Sequence, residues 1–289
     1  MKLSGHTTPY AVLGHPIGHT LSPVMHNASF GALGLDAVYL AFDVDPDNLM
    51  QVLPAMKQMG FGGVNLTVPL KEVAFKGLSD LDESAKRLGS VNTIEFTADG
   101  LRGHSTDGQG FLLALDEAFS LAPAGRSVFM LGCGGAGRAV AITCAQAGAA
   151  RLILTDMDSA RAARVAAEIA ELAPGVKTEV VASDPDAWKE AAQAADLVVQ
   201  ATPVGMKEGD TSLLGPGAFR KEQYAFDLIY MYPETPFMKA AQAAGTQAAN
   251  GLGMLLHQGA FSFSIWSGRQ ADVPAMRRAL EGAVYGAGE

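Results

Sequence analysis

VFMLGCGGAGRA, residues 128–139, decides how the rest of the chain is read. An apolar run of strand character meets glycines at Gly132, Gly134 and Gly137, and an alanine-rich stretch of helical character follows. The spacing G-x-G-x-x-G has a physical purpose. The first glycine permits a tight turn, the second lets the backbone approach a pyrophosphate, and the third lets helix and strand pack closely. The helix start then offers free N–H groups to phosphates. A glycine loop alone also serves as a plain turn. Here the strand and helix context is right, and an acid, Asp156, closes the next apolar run. Together these predict a dinucleotide-binding fold. A carboxylate at that point accepts from a ribose 2′-OH and repels a 2′-phosphate. Met157 follows it rather than Arg or Lys, so the cofactor is NAD or NADP with NAD favoured. In the alternative, Asp156 is only a helix cap and a more distant base such as Arg161 sets the preference.

Outward from the loop, strand-length apolar runs alternate with helical stretches, the pattern of an α/β fold with mainly parallel strands. Strands are expected at 11–13, 37–44, 63–68, 91–96 and 101–105, then at 127–131, 151–155, 178–182, 197–201 and 225–230. The runs 91–96 and 101–105 read as a hairpin about Ala98-Asp99-Gly100, since Asp-Gly is a strong turn signal. Helices are expected to start at Ser22-Pro23 and at Ser79, where Ser-x-x-Asp resembles a capping box, the second stopping at Gly89. Residues 111–119 and 159–172 read as helices, and the one after the glycine loop starts near Gly137. The change of rhythm puts a domain boundary near Asp107-Gly108, with no low-complexity linker.

Composition narrows the class. The 289 residues carry a formal net charge of -9, are 48% hydrophobic and 18% charged, and suit a globular protein of two domains. The acidic balance argues against nucleic acid and against an anionic membrane surface as partners. Apolar runs fall short of the roughly 18 residues that span a bilayer. The N-terminus, MKLSGHTTPY, lacks the apolar core of a secretory signal. With only Cys133 and Cys144, a disulfide framework is not expected, and a cytoplasmic location fits best.

GHPIGHTLSPVMHN, residues 14–27, gathers His15, His19 and His26 around two prolines. No cysteine lies near them, so no metal is expected. Packing and backbone hydrogen bonds are the expected roles of these histidines. Ser22 before Pro23 reads as an N-cap with proline at N1.

This segment is followed in order by NLTVPLKE (65–72), SVNT (90–93), STDG (105–108), ATPVGM (201–206) and GLGMLLHQ (251–258). The ordered set resembles the shikimate dehydrogenase family, including its quinate/shikimate relatives, over nearly the whole chain. The resemblance implies a substrate-binding domain (1–107), a Rossmann domain (108–251) and a C-terminal helical segment (252–289) that packs back on the first. It implies reversible NAD(P)-dependent interconversion of shikimate and 3-dehydroshikimate in the shikimate pathway. By this similarity Thr20 and Ser22 contact the substrate carboxylate, with Tyr230 on the same side. Thr67, Lys71, Asn92, Asp107 and Gln258 hold the ring hydroxyls. Gly132, Cys133, Gly134, Gly135, Ala136, Thr155, Asp156, Met157, Thr202, Leu228 and Gly251 lie along the dinucleotide.

The chain also departs from the family pattern. Thr20 stands where Ser is usual, Ser105 replaces a common Asn, and Asp156-Met157-Asp158 replaces the Asn-Arg-Thr of NADP-using members. The extra methyl of Thr20 argues for shikimate over quinate, which carries a further hydroxyl beside its carboxylate. On position alone, Lys71 could be a solvated lysine, Asp107 a cap, and Asn92 and Gln258 amides serving the backbone. As a catalytic pair, Lys71 takes the hydroxyl proton and Asp107 orients the hydroxyl. A cation in a first helical turn opposes the macrodipole, which suits a group that must give up and take back a proton. Cys133 reads as a small filler. Rival readings are an NAD-dependent quinate/shikimate dehydrogenase and a non-catalytic dinucleotide-binding regulator. The expected partner is a small molecule, the chain acting as monomer or homodimer.

Overall fold

The computed structural model describes residues 3–207 and 209–286. It divides into two compact units, one made of the chain up to Gly110 and again from Leu255 onward, the other Phe111–Met254.

In the first unit β1 (Thr8–Gly14) takes the run Tyr10-Ala11-Val12-Leu13, every residue of it buried. After the proline-rich corner come α1 (Ser22–Ala32), β2 (Ala37–Asp43), α2 (Leu49–Gln58), β3 (Gly63–Leu66), α3 (Leu70–Gly77), β4 (Asp80–Leu81), α4 (Glu83–Leu88), β5 (Thr93–Phe96) and β6 (Leu101–His104). The sheet order is β2-β1-β3-β5-β6-β4. β1 runs parallel to both neighbours, while β3/β5 and β5/β6 are antiparallel. The Asp-Gly turn closes the β5/β6 hairpin as its chemistry predicts, with Phe96 opposite Leu101. One face of the sheet packs on Leu49, Leu53 and Leu70, the other on Phe30 and Phe263.

The helix expected from Ser79 starts later. Asp80 and Leu81 pair with β6 instead, and Asp82 caps α4 by accepting from the Ala85 N–H at 3.0 Å. Asp82 takes the extended backbone that a cap needs, so the acid expected inside the helix marks its start. Gly89 ends the helix in the left-handed region, φ 57°.

α5 (Asp107–Phe119) leads into the second unit: β7 (Ser127–Leu131), α6 (Gly135–Gln146), β8 (Arg151–Thr155), α7 (Ser159–Leu172), β9 (Lys177–Val180), α8 (Pro185–Ala194), β10 (Leu197–Gln200), β11 (Tyr224–Asp227), α9 (Pro236–Ala243) and β12 (Gln247–Ala249). All strands are parallel, in the order β12-β11-β10-β7-β8-β9. Parallel sheets covered on both faces need apolar runs rather than alternation, and β10 is buried at every position. The strand order is that of the Rossmann fold. Its topological switch, where a ligand crevice forms, falls between β7 and β10. The chain returns to the first unit through α10 (Leu252–Ser267) and α11 (Val273–Tyr285), and α11 packs on α1.

Candidate active site

The chemistry of the first unit gathers where β5, α3, α5 and α10 meet. Lys71 sits in the first turn of α3, and Asp107 begins α5. Lys71 Nζ donates to Asp107 Oδ2 at 2.6 Å, and the two side chains are 24% and 9% exposed. Asn92 Nδ2 donates to Asp107 Oδ1 at 2.9 Å and faces Gln258 Oε1 on α10 at 3.2 Å. Gly110 lets α5 pass this close, because a Cβ there would lie 2.8 Å from the Gln258 backbone nitrogen. Four residues drawn from four separate motifs are thus joined in one hydrogen-bonded chain. Both Asp107 oxygens face side-chain donors on other elements rather than capping their own helix. A lysine, a carboxylate and two amides at one spot can hold a polyhydroxylated ring and exchange one proton with it.

Beneath them lies a buried polar network. Asn92 Oδ1 accepts from the Thr106 N–H at 2.8 Å and from the Thr93 hydroxyl at 3.0 Å. A backbone N–H can only donate, so the amide is oriented with its Nδ2 towards Asp107. Ser262 Oγ lies 2.7 Å from Thr93 Oγ1 and accepts from Asn65 Nδ2 at 2.9 Å. Tyr39 donates to Asn65 Oδ1 at 2.7 Å. Sequence reasoning missed Tyr39, Asn65, Thr93, Thr106 and Ser262. The signal for Ser262 was available: it lies one helical turn beyond Gln258, at i+4, on the same face of α10.

The proline-rich corner differs from expectation at Ser22. Ser22 is the first residue of α1 rather than its cap; Leu21 takes the cap position and makes no side-chain cap bond. The Thr20 hydroxyl serves the helix start instead, accepting from the Ser22 N–H and donating to Ser22 Oγ, both at 3.3 Å. Thr67, just past β3, packs beside this corner, since a Cβ on Gly14 would lie 2.5 Å from its methyl carbon. The histidines diverge. His15 Nδ1 pairs with Asp43 at 2.5 Å in solvent, which raises its pKa. His26 is fully buried and stacks on Tyr39 at 4.2 Å. Neither of its ring nitrogens has a partner, against the backbone hydrogen bonds expected of it. Burial lowers its pKa to about 3. Among the described residues no group of three or more His, Cys, Asp or Glu could hold a metal ion.

The second unit holds a cavity of about 330 Å³ lined by Gly132, Gly134, Thr155, Asp156, Met157 and Thr202, with Arg161 and Trp188. Gly132 has φ 103°, closed to other residues without strain. A Cβ on Gly137 would lie 2.1 Å from the Gly132 carbonyl oxygen. Gly134, the N-cap of α6, has open space before it, so a phosphate could approach the free N–H groups of Gly135 and Ala136. These features fit a dinucleotide. Leu228 and Gly251 pass closely, a Cβ on Gly251 falling 2.3 Å from the Leu228 carbonyl oxygen. Tyr230 follows β11 in this unit, its phenol pKa raised by burial.

Asp156 is not a helix cap. Asp158 caps α7, while Asp156 Oδ2 accepts from the Cys133 N–H at 2.8 Å and Oδ1 from the Asp158 N–H at 2.9 Å. Arg161 Nη1 stands 3.2 Å from Asp156, whose side chain is 8% exposed. The Cys133 thiol is buried, and burial first and Asp156 second push its pKa up to about 12, so it is no nucleophile.

Comparison with known proteins agrees with this geometry. A model of the shikimate dehydrogenase substrate binding domain matches residues 12–94, and one of the shikimate 5'-dehydrogenase C-terminal domain matches residues 251–281. The chain is 43% identical to a shikimate dehydrogenase (NADP(+)) of Moorella thermoacetica, covering 98% of this chain and 96% of that one. It is similar to the crystal structure of shikimate 5-dehydrogenase from Listeria monocytogenes in complex with shikimate and NAD, with TM-score 0.89, 34% identity and coverage of 97% and 98%. It is also similar to quinate dehydrogenase from Corynebacterium glutamicum in complex with NAD, with TM-score 0.86, 32% identity and coverage of 94% and 98%. Likeness of this degree runs nearly end to end in both chains of each pair, and the chain belongs to the shikimate dehydrogenase family.

Proposed function

We propose that this chain catalyses the reversible NAD(P)-dependent interconversion of shikimate and 3-dehydroshikimate. The observation that carries the reading is the cluster Lys71, Asp107, Asn92 and Gln258, joined by hydrogen bonds. In the direction of oxidation, Lys71 takes the proton of the C3 hydroxyl and returns it in reduction. A bound dinucleotide would take the C3 hydride in oxidation and give it back in reduction. Asp107 accepts from Lys71 Nζ, which keeps Lys71 in place, and orients the hydroxyl. Asn92, Thr67 and Gln258 hold the remaining ring hydroxyls, and Thr20 and Ser22 hold the carboxylate. The protein contributes position and electrostatics, the cofactor the redox chemistry.

For the cofactor, NAD remains the favoured choice. Asp156 lines the cavity as a carboxylate, which disfavours a 2′-phosphate beside it, and Met157 next to it is 94% exposed and uncharged. Arg161 is already paired with Asp156 and Asp158. Two buried free cysteines suit a reducing compartment such as the cytoplasm, and no helix of the described residues is long and apolar enough to cross a membrane.

The test is the initial rate of shikimate oxidation with NAD and with NADP at matched concentrations, for the natural chain and for Lys71→Ala. The expected result is turnover with NAD ahead of NADP, and a loss of roughly 10²–10⁴-fold in the variant with nucleotide binding retained. Near-normal turnover without Lys71 would remove it from the mechanism. No rate with either nucleotide would reject the reaction itself.

A further inference from the structure

Three segments outside the glycine loop converge on one buried carboxylate that the mechanism leaves unused. Asp227 ends β11 and is fully buried. Its Oδ2 accepts from the Thr235 hydroxyl at 2.6 Å, and its Oδ1 accepts from the Ile229 N–H at 3.0 Å and faces Gln200 Nε2 at 3.4 Å. These partners are all neutral, and burial pushes the carboxyl up to about 6. A buried charge with no cation beside it is costly, and a neutral side chain of the same shape would avoid that cost. What the carboxylate adds is a strong acceptor for donors arriving from separate loops.

The donors come from the end of β10, whose following turn lines the cofactor cavity, and from the segment after β11. Gln200, at the end of β10, grips the turn that follows: its Oε1 accepts from the Thr202 N–H at 2.6 Å, and its Nε2 donates to the Val204 carbonyl at 2.9 Å. Thr202 and Val204 line the cavity. Ile229 accepts from the Gly251 N–H at 3.0 Å through its carbonyl, next to the close pass of Leu228 and Gly251. Thr235 caps α9, accepting from the Met238 N–H at 3.2 Å.

We propose that Asp227 is a positioning residue for dinucleotide binding, locking the loops after β10 and β11 into one arrangement through Gln200, Ile229 and Thr235. The proposal rests on the dinucleotide reading of this unit. Loosening either loop displaces Thr202, Leu228 and Gly251 together, while the cluster around Lys71 keeps its own hydrogen bonds.

The experiment measures NAD and NADP affinity by calorimetry, and KM for nucleotide and for shikimate, in the natural chain and in Asp227→Asn, Thr235→Val and Thr235→Ser. In Asp227→Asn and Thr235→Val, nucleotide Kd and KM should rise roughly tenfold, the scale of one lost hydrogen bond to a charged group. KM for shikimate should stay within twofold, and Thr235→Ser, which keeps the hydroxyl, should bind like the natural chain. If the natural chain binds nucleotide and all variants bind it equally well, with only the melting temperature lowered, the lock is overturned and the dinucleotide reading stands. If the natural chain binds neither nucleotide, both fall. Should Asp227→Asn fail to fold, the contrast between Thr235→Val and Thr235→Ser decides alone.

Discussion

His26 makes the stability of the first unit depend on pH in a calculable way. Its ring is buried against Tyr39 and Phe263 with no hydrogen-bond partner, and burial lowers its pKa to about 3 from an ordinary 6.5. The folded state therefore binds fewer protons than the unfolded chain between those values. Stability from this group is fully present above pH 6.5 and is lost as pH falls towards 3. The full window is worth about 5 kcal/mol, of which about 2 kcal/mol is lost between pH 7 and pH 5. The assay is urea unfolding of a Trp188→Phe background, so that Trp266, whose ring lies 5.6 Å from His26, reports alone. His26→Phe and His26→Gln should both flatten the pH dependence by about 2 kcal/mol over that interval. Their absolute stabilities will differ, since the larger ring overpacks the site by roughly 1–3 kcal/mol. Only the slope matters, because other titrating groups cancel between chains. A slope unchanged in both variants would refute the claim that His26 is held neutral and unpartnered.

Other expectations follow from single contacts. Asp156→Ala frees Arg161 and the Cys133 N–H for a 2′-phosphate, so the NADP/NAD ratio of kcat/KM should rise at least about tenfold, roughly 1.4 kcal/mol; an unchanged ratio would deny Asp156 any part in cofactor choice. Gly137→Ala places a methyl 2.1 Å from the Gly132 carbonyl oxygen. It should lower unfolding free energy by more than about 2 kcal/mol and weaken nucleotide binding, and calorimetry showing normal affinity would contradict the close-packing argument. Ser262→Ala strips partners from Thr93 and Asn65 beneath the Lys71–Asp107 cluster. It should cost about 1–3 kcal/mol in chemical denaturation, and a loss under about 0.5 kcal/mol would mean the network rearranges freely.

Much of the fold was legible because its signals are local. The glycine spacing at 132–137 needs only a backbone turn and a close helix, the hairpin at 98–100 only an Asp-Gly turn, and the buried strands of the second unit only unbroken apolar runs. The elements left unread or misread are those whose local signals conflict with packing. α2 carries Pro54 inside a helix, β12 is three residues of Gln-Ala-Ala, and the Ser79 signal yielded to Asp82, whose acceptor reached Ala85.

The chain by itself determined which motifs can be picked out one by one, and Lys71, Asn92, Asp107 and Gln258 each stand in one of them. Tertiary structure alone decided how those side chains are held. Asn92 is oriented by the Thr106 N–H, between β6 and α5, and by a hydroxyl network completed by Ser262, from a helix near the other end of the chain. Asp156 turns back onto the glycine loop, and His26 is sealed without a partner. The physical reason is common to all three. Hydrogen bonds and burial depend on which segments meet in space, and segments far apart in sequence leave no local pattern from which that meeting can be read.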